Sequence, residues 1–256
     1  MNKLERAISL TMSDDISTNN MYSSYDPGKS MEEISKMEDA VYLTEDELIQ
    51  KKIIFQGSDQ DKLVNQLRDI RTALNKHKSK NLIMVASVEE NSGTSFFARN
   101  LAAVTAFDGS RSSLLIDCNI DNPSVSETFD LTDKKGLLDY IFDKNLCESD
   151  IIEAVGISRY RCITSGLIQS ENEEFFTHPR FKSLLMGLKS RYQDRSIFLD
   201  SSALLPSANA RILLDMCDQV ILVAPLGKVS AHKLETISRL IPKDKLSGLV
   251  INDHIA

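Results

Sequence analysis

The sequence lacks the features of a membrane-spanning, secreted or metal-clustered protein. No apolar run reaches the roughly 18 residues that a membrane-spanning helix needs. The N-terminus has no basic segment followed by an apolar one, so we expect no secretory signal. The 4 cysteines form no CxxC pair and have no histidine pair nearby, which indicates free thiols in a reducing cytoplasm rather than a disulfide framework or a zinc site. They are Cys118, Cys147, Cys162 and Cys217.

The sequence also lacks an excess of basic residues. Its net charge is -7, and residues 1–50 alone carry eleven acidic and four basic residues, which accounts for the whole excess. A duplex-DNA binder needs a basic face, so we expect no nucleic-acid partner. The 256 residues, 42% of them hydrophobic, are enough for one large α/β domain. We therefore divide the chain into an acidic arm, residues 1–50, and a domain, residues 51–256.

The arm has the composition of a leader segment. Residues 2–10 fit a short amphipathic helix, and residues 11–31 are polar like a linker. Thr44 and Glu47 have the spacing of a capping box, which predicts a helix start. We expect a largely flexible arm, and the alternative is a docking segment that becomes ordered on a partner.

Beyond the arm, apolar strands alternate with amphipathic helices. This alternation predicts an α/β fold with a doubly wound, mostly parallel sheet and helices on both faces. The predicted strands lie at 82–86, 114–116, 160–164, 197–199, 220–223 and 249–251. The predicted helices lie at 58–74, with Ser58 as its cap, and near 95–104, 136–143, 149–155, 178–188, 208–217 and 230–240. His178 precedes Pro179, so we interpret it as a helix cap rather than a base.

The carboxyl ends of three predicted strands carry candidate site residues. In parallel sheets ligands bind at these ends, and the loop from Ser87 to Ser95 lies where a phosphate loop belongs. Gly93 and Ser95 fit the pattern GxxxxGK[ST], but Thr94 replaces its lysine and Val88 its first glycine. The other two ends are those before Asp117 and Asp200. From spacing alone, these two acids are either magnesium ligands or simple caps and ion-pair partners.

Six stretches, taken in order, resemble those of a known family. The family is that of the bacterial tyrosine autokinases of exopolysaccharide and capsule synthesis (CpsD/CapB type), within the deviant-Walker P-loop group that includes the ParA and MinD ATPases. The stretches are Leu67–Leu74 (FRxLRTxL in the family), Ser87–Ala102 (SAxPGEGKSxxAxNLA), Leu114–Pro123 (LLIDADLRRP), Gly136–Tyr140 (GLxDxL), Phe198–Ser202 (IIDTPP) and Gly248–Asn252 (GVVLN).

Departures from the family pattern fall on the residues of its kinase chemistry. Thr94 cannot neutralise phosphate charge, and Glu89 and Glu90 add negative charge to the loop. One like-charge contact at about 4 Å costs roughly 4 kcal/mol at an effective dielectric of about 20. The acid pair of the third stretch becomes Asp117 and Asn119, and its two basic residues become acidic and neutral. Active members autophosphorylate a C-terminal tyrosine cluster, whereas the last tyrosine of this sequence is at 192, so we expect a degenerate member.

The resemblance also assigns site residues. It places Gly93, Thr94, Ser95 and Asn119 around a nucleotide phosphate. It makes Ser95, Asp117 and Asp200 the ligands of magnesium, with the two acids as vestigial catalytic residues. We expect ATP with magnesium to bind weakly if at all, and Lys228 is a candidate to replace the missing lysine.

Partners follow from the resemblance as well. Active relatives dock on the cytoplasmic end of a Wzz-like membrane polysaccharide co-polymerase, so we expect a cytoplasmic regulatory protein that reaches the inner membrane through that partner. The helix with Arg68 and Arg71 lies where relatives self-associate, which predicts an oligomer contact. Two alternatives stay open: an active ATP-dependent tyrosine kinase with an unusual phosphate loop, and a ParA/MinD-like ATPase switch.

Overall fold

The structure of the chain is a computed structural model that describes residues 42–55, 57, 61–76, 80–167, 175–191 and 194–253. The predicted helix at 2–10, the linker at 11–31 and the Ser58 cap lie outside these residues.

Seven strands form one sheet across the described residues, in the order β3-β4-β2-β5-β1-β6-β7. Strand β3 is antiparallel to β4, and the other pairs are parallel. The predicted mostly parallel, doubly wound sheet is therefore confirmed. Its strands are β1 (Leu82–Ser87), β2 (Ser112–Asp117), β3 (Glu153–Ala154), β4 (Tyr160–Ile163), β5 (Arg195–Ala203), β6 (Gln219–Pro225) and β7 (Leu246–Asn252).

Helices cover both faces of the sheet. Buried side chains of α1 to α4 pack on one face, and those of α5 to α8 pack on the other. The helices are α1 (Glu45–Gln50), α2 (Asp61–Leu74), α3 (Thr94–Ala106), α4 (Val125–Thr128), α5 (Leu137–Phe142), α6 (Pro179–Arg191), α7 (Ala208–Met216) and α8 (Ala231–Leu240). Every residue of β1 and β2 is buried, as expected for strands covered on both sides.

The helix predicted at 149–155 is wrong. A short 3-10 turn, Glu148–Asp150, stands there and is followed by β3. The Asp150 carboxylate accepts the Cys147 N–H at 2.7 Å and closes the turn. Glu153 then pairs with Cys162 of β4, so strand pairing overrides the local helical pattern.

The described end of the acidic stretch packs on the domain. Helix α1 begins with the predicted capping box, because Thr44 and Glu47 bind each other's backbone N–H groups. Leu48 is buried, and the Ile54 N–H donates to Asn100 of α3 at 2.7 Å. The segment 42–55 therefore leads directly into the side of the sheet that α3 covers.

The stretch that begins at Gly136 fastens α5 to the end of β4. A Cβ atom on Gly136 would lie 2.3 Å from the Gly166 backbone nitrogen and 2.5 Å from the Thr164 carbonyl oxygen. Asp139 is buried, and its carboxylate accepts the Gly136 N–H at 2.9 Å. This part of the family resemblance thus marks a close approach of two backbone segments.

We predict that Gly136→Ala lowers the free energy of unfolding by about 1–3 kcal/mol, because the added methyl group must displace backbone atoms. Denaturant unfolding followed by circular dichroism measures the change. Gly109→Ala is the matched control, since a Cβ there meets nothing within 4 Å. Equal stability of the two variants would contradict the packing argument.

Candidate functional site

Three neighbouring strands end at one cavity. Strands β2, β5 and β1 are adjacent in the sheet, and a cavity of about 810 Å³ opens at their carboxyl ends. The sequence-predicted residues that line it are Gly93, Thr94, Ser95 and Asn119. Asp117 ends β2 and Asp200 lies near the end of β5; both are fully buried, shortly before the lining residues Asn119 and Ser201.

The loop before α3 keeps a phosphate-loop shape through contacts within the protein. Asn91 (φ 55°) and Gly93 (φ 80°) adopt the left-handed backbone conformation. The Asn252 side-chain amide donates to the Ser92 carbonyl at 2.9 Å. A Cβ atom on Gly93 would lie 2.3 Å from that amide nitrogen and would have to displace the Asn252 side chain. Gly93 offers no side-chain cap, which leaves the first N–H groups of α3 facing the cavity.

The position of the loop lysine is filled by a neutral side chain. Thr94 is 7% exposed, and its hydroxyl has no hydrogen-bond partner among the described residues. Lys228 is exposed on the turn after β6 and does not line the cavity. The positive charge that a phosphate loop normally supplies is therefore not restored by either residue.

Two basic residues near the loop were not predicted from the sequence. Lys233 of α8 pairs with Glu89 at 2.6 Å, which neutralises one of the two loop acids. Arg99 of α3 lines the cavity and donates to the Ser124 hydroxyl at 3.0 Å. A sequence signal existed for Arg99, because it follows Ser95 by four residues and so shares its helix face. Lys233 gave no such signal, since its contact joins residues 144 positions apart.

Asp117 organises the segment after β2. Its carboxylate accepts the backbone N–H groups of Asn119 at 3.2 Å and of Ser124 and Val125 at 3.0 Å each. The contact with Val125 satisfies a free N–H at the start of α4. Burial raises the pKa of Asp117, and the three backbone hydrogen bonds and the Arg99 charge offset part of that rise.

Asp200 is the acid of the site whose buried carboxylate has the fewest stabilising partners. It is the register partner of Asp117 across the β2–β5 pair, and both of its carboxylate oxygens are buried without a hydrogen-bond partner in the described parts of the chain. Burial raises the pKa of Asp200, and the neighbouring Asp117 charge raises it further. The side chain of Ser95 offsets part of this rise, although its hydroxyl does not reach hydrogen-bonding geometry.

The site residues fit a cation better than a triphosphate. Asp117, Asp200 and Ser95 carry the oxygen atoms that magnesium prefers, and both carboxylate oxygens of Asp200 lack a hydrogen-bond partner among the described residues. No group of three or more metal-binding side chains occurs among the described residues, so the donor set is small. Of the described residues that line the cavity, Arg99 alone is positively charged, against Glu90 and Asp121. The lining therefore supplies little positive charge for a ligand that carries several negative ones.

The predicted oligomer contacts lie on α2. Arg71 donates to the Val104 carbonyl at 2.9 Å, so it already caps the end of α3 within the domain. The Arg68 side chain donates to Asn65, one turn earlier, at 3.5 Å, and the Arg68 carbonyl accepts the Thr72 hydroxyl at 2.8 Å. Their role between subunits stays a prediction. His178 accepts the Arg180 N–H at 3.2 Å, which agrees with its interpretation as a cap.

The chain matches bacterial tyrosine kinases along most of its length. It is 29% identical over 192 residues to the tyrosine-protein kinase YwqD of Bacillus subtilis, covering 73% of this chain and 79% of YwqD. It is 29% identical over 184 residues to the putative tyrosine-protein kinase EpsB of Ralstonia solanacearum, covering 70% of this chain. The chain is a relative of these kinases. It spans only 24% of EpsB, and no model of a known protein family matches it.

A third relative is described by its genetic location. The putative tyrosine-protein kinase in the cps region of Klebsiella pneumoniae is 25% identical over 167 residues, covering 64% of this chain and 23% of its own length.

Solved structures confirm the P-loop ATPase-like fold. The kinase domain of Escherichia coli tyrosine kinase Etk superimposes with a TM-score of 0.68 at 21% identity, covering 84% of this chain and 88% of that domain. The chimerical protein CapA2B2 gives 0.69 at 20% identity, covering 90% of this chain and 100% of the chimera. The Pyrococcus furiosus cell division ATPase MinD gives 0.56 at 17% identity, covering 68% of this chain and 73% of MinD. Within the described residues, no helix combines the length and hydropathy needed to cross a membrane.

We predict that Asp200→Asn stabilises the protein at neutral pH in EDTA. Because the folded state raises the pKa of Asp200, ionising this group costs stability as the pH rises above its unfolded value of about 3.9. The melting temperature of the variant should exceed that of the wild type at pH 7.5. The difference should shrink to nothing near pH 4, where the carboxyl is protonated in both states.

Asp133→Asn, at an exposed acid, is the control. A stabilisation by Asp200→Asn that stays constant between pH 4 and pH 7.5 would show that charge is not its cause.

Proposed function

We propose that this chain is a non-catalytic relative of the bacterial tyrosine kinases and acts as a cytoplasmic regulatory partner of a membrane polysaccharide co-polymerase. The observation that carries the proposal is the neutral, buried Thr94 at the position of the phosphate-binding lysine, in a fold otherwise retained. The relative in a cps region supports a polysaccharide context.

Phosphoryl transfer depends on positioning and on positive charge around the transferred group. The cavity offers Arg99, and this residue is already hydrogen-bonded to Ser124. Glu90 and Asp121 line the same cavity with negative charge. At an effective dielectric of about 20, each like-charge contact near 4 Å disfavours a phosphate by roughly 4 kcal/mol. These charges favour a site that does not turn over ATP.

The fold does not depend on a nucleotide for its shape. The Asn252 amide holds the loop at Ser92, and Lys233 holds it at Glu89. Asp117 fixes the segment after β2 through backbone N–H groups. Contacts within the protein thus hold both the loop and the segment after β2 in place, which suits a regulatory partner.

We predict that the purified chain forms no phosphotyrosine with labelled ATP and magnesium, either on itself or on a supplied tyrosine copolymer. The missing lysine and the acidic lining remove the stabilisation that the transfer needs. The amount of labelled phosphate on the wild-type protein should equal that on the Asp117→Ala variant, which serves as the blank. Phosphotyrosine that appears in the wild type and disappears in the blank would establish an active kinase instead.

We predict that Thr94→Lys restores nucleotide affinity. The new ammonium group would extend from the start of α3 into the cavity, where phosphate charge would lie. The dissociation constant of Mg-ATP measured by calorimetry should fall by about tenfold or more, equivalent to about 1.4 kcal/mol. Thr94→Met, of similar length and no charge, should not change it, and equal gains in both variants would refute the electrostatic account.

We predict that the chain binds the cytoplasmic segment of a co-polymerase equally with and without Mg-ATP. Biolayer interferometry on the immobilised segment measures this, and a scrambled segment is the control. Binding that requires nucleotide, or no binding at all, would contradict the proposed role.

A further inference from the structure

Arg99 occupies an unusual place for a charged side chain. It follows Ser95 by four residues on α3, so both face the cavity at the strand ends. Its Nη1 atom donates to the Ser124 hydroxyl at 3.0 Å. Its Nε atom is buried and has no hydrogen-bond partner among the described residues. An arginine held in this way needs negative charge nearby to compensate for its lost hydration.

The negative charge comes from the carboxylate pair. The Ser124 backbone N–H donates to Asp117 Oδ2 at 3.0 Å, so one residue links the guanidinium to the first carboxylate. Asp117 is in turn the register partner of Asp200. Burial lowers the pKa of Arg99, while interaction with Tyr160 and then the charges of Asp200 and Asp117 oppose that effect. The same Arg99 charge lowers the pKa of each carboxyl group against the effect of burial.

We propose that Arg99 is the resident counter-ion of the Asp117–Asp200 pair and takes the place of a divalent cation there. A guanidinium stays protonated throughout the physiological pH range. It is covalently part of α3 and therefore always present, whereas a metal ion must bind from solution. A second cation entering beside Asp117 and Asp200 meets the repulsion of the first.

Two consequences follow for the site. Arg99 supplies part of the charge balance of the carboxylate pair without metal, and the wild-type chain has little affinity for magnesium. Metal affinity is independent of phosphoryl transfer and of partner binding. The counter-ion role of Arg99 can therefore be refuted while the proposed function holds, and the proposed function can be refuted while that role holds.

The test uses the full chain after EDTA treatment and Mn²⁺ as the probe. Arg99→Met removes the charge and keeps a long apolar side chain suited to a helix. We expect it to bind Mn²⁺ about tenfold or more tightly than the wild type, measured by electron paramagnetic resonance of free Mn²⁺. It should melt at a lower temperature in EDTA and regain that loss when Mn²⁺ is added.

Two further single variants separate the charge at this position from general effects. Arg239→Met removes an exposed arginine of α8 that pairs only with Glu235 among the described acids, and it should match the wild type in both measurements. Arg99→Lys keeps the positive charge and should also bind Mn²⁺ as weakly as the wild type. Mn²⁺ affinity that is unchanged or weaker in Arg99→Met, or equally raised in Arg99→Lys, would overturn the proposal.

A double variant keeps the proposal testable if Arg99→Met does not fold in EDTA. Arg99→Met combined with Asp200→Asn removes the cation and one of its two acids together. We expect this protein to fold in EDTA, to be more stable than Arg99→Met alone, and to show no Mn²⁺ response. A double variant no more stable than the single one would show that Arg99 acts through packing rather than as a counter-ion.

Discussion

The pairing of β2 with β5 sets the constraint to which the rest of the site responds. It places Asp117 beside Asp200, both fully buried, so two carboxyl groups lie side by side in an interior that disfavours the charged form of each. Asp117 is compensated by three backbone N–H groups, and those bonds also shape the segment after β2. Asp200 has no such bonds within the described chain, and its compensation depends on charge from its surroundings.

The loop before α3 shows that a phosphate loop can keep its backbone shape after its positive charge has been lost. Its left-handed residues, Asn91 and Gly93, and its anchor at Asn252 preserve the form of a phosphate loop. Thr94, in contrast, stands in place of the lysine, so the positive charge that would bind a phosphate in this loop is missing. Shape is retained because the loop also connects a central strand to a buried helix, and disrupting it would cost stability. The lysine has no comparable structural duty, so its replacement leaves the fold intact.

Much of the fold and the location of the site could be predicted, because hydrophobic patterns are local and the carboxyl ends of parallel strands share one edge. This argument brought Gly93, Ser95 and Asn119 to one cavity. It failed at 149–155, where pairing of β3 with β4 outweighs helical spacing. It also missed the Lys233–Glu89 and Arg99–Ser124 contacts, which join residues distant in sequence. The four-residue spacing from Ser95 could have placed Arg99 on the cavity face of α3, but it does not reveal the contact with Ser124. Gly136 was matched by resemblance, but its close contact with Gly166 emerged only from the three-dimensional structure.

The central claim is that the cavity at the ends of β1, β2 and β5 no longer supplies the positive charge that holds a triphosphate. Equilibrium dialysis of the EDTA-treated wild-type chain against radiolabelled ATP with millimolar magnesium tests this claim most directly. The account predicts equal ATP concentrations on both sides of the membrane when the protein is present at tens of micromolar. Accumulation of ATP on the protein side, saturating at one nucleotide per chain with a micromolar dissociation constant, would contradict it.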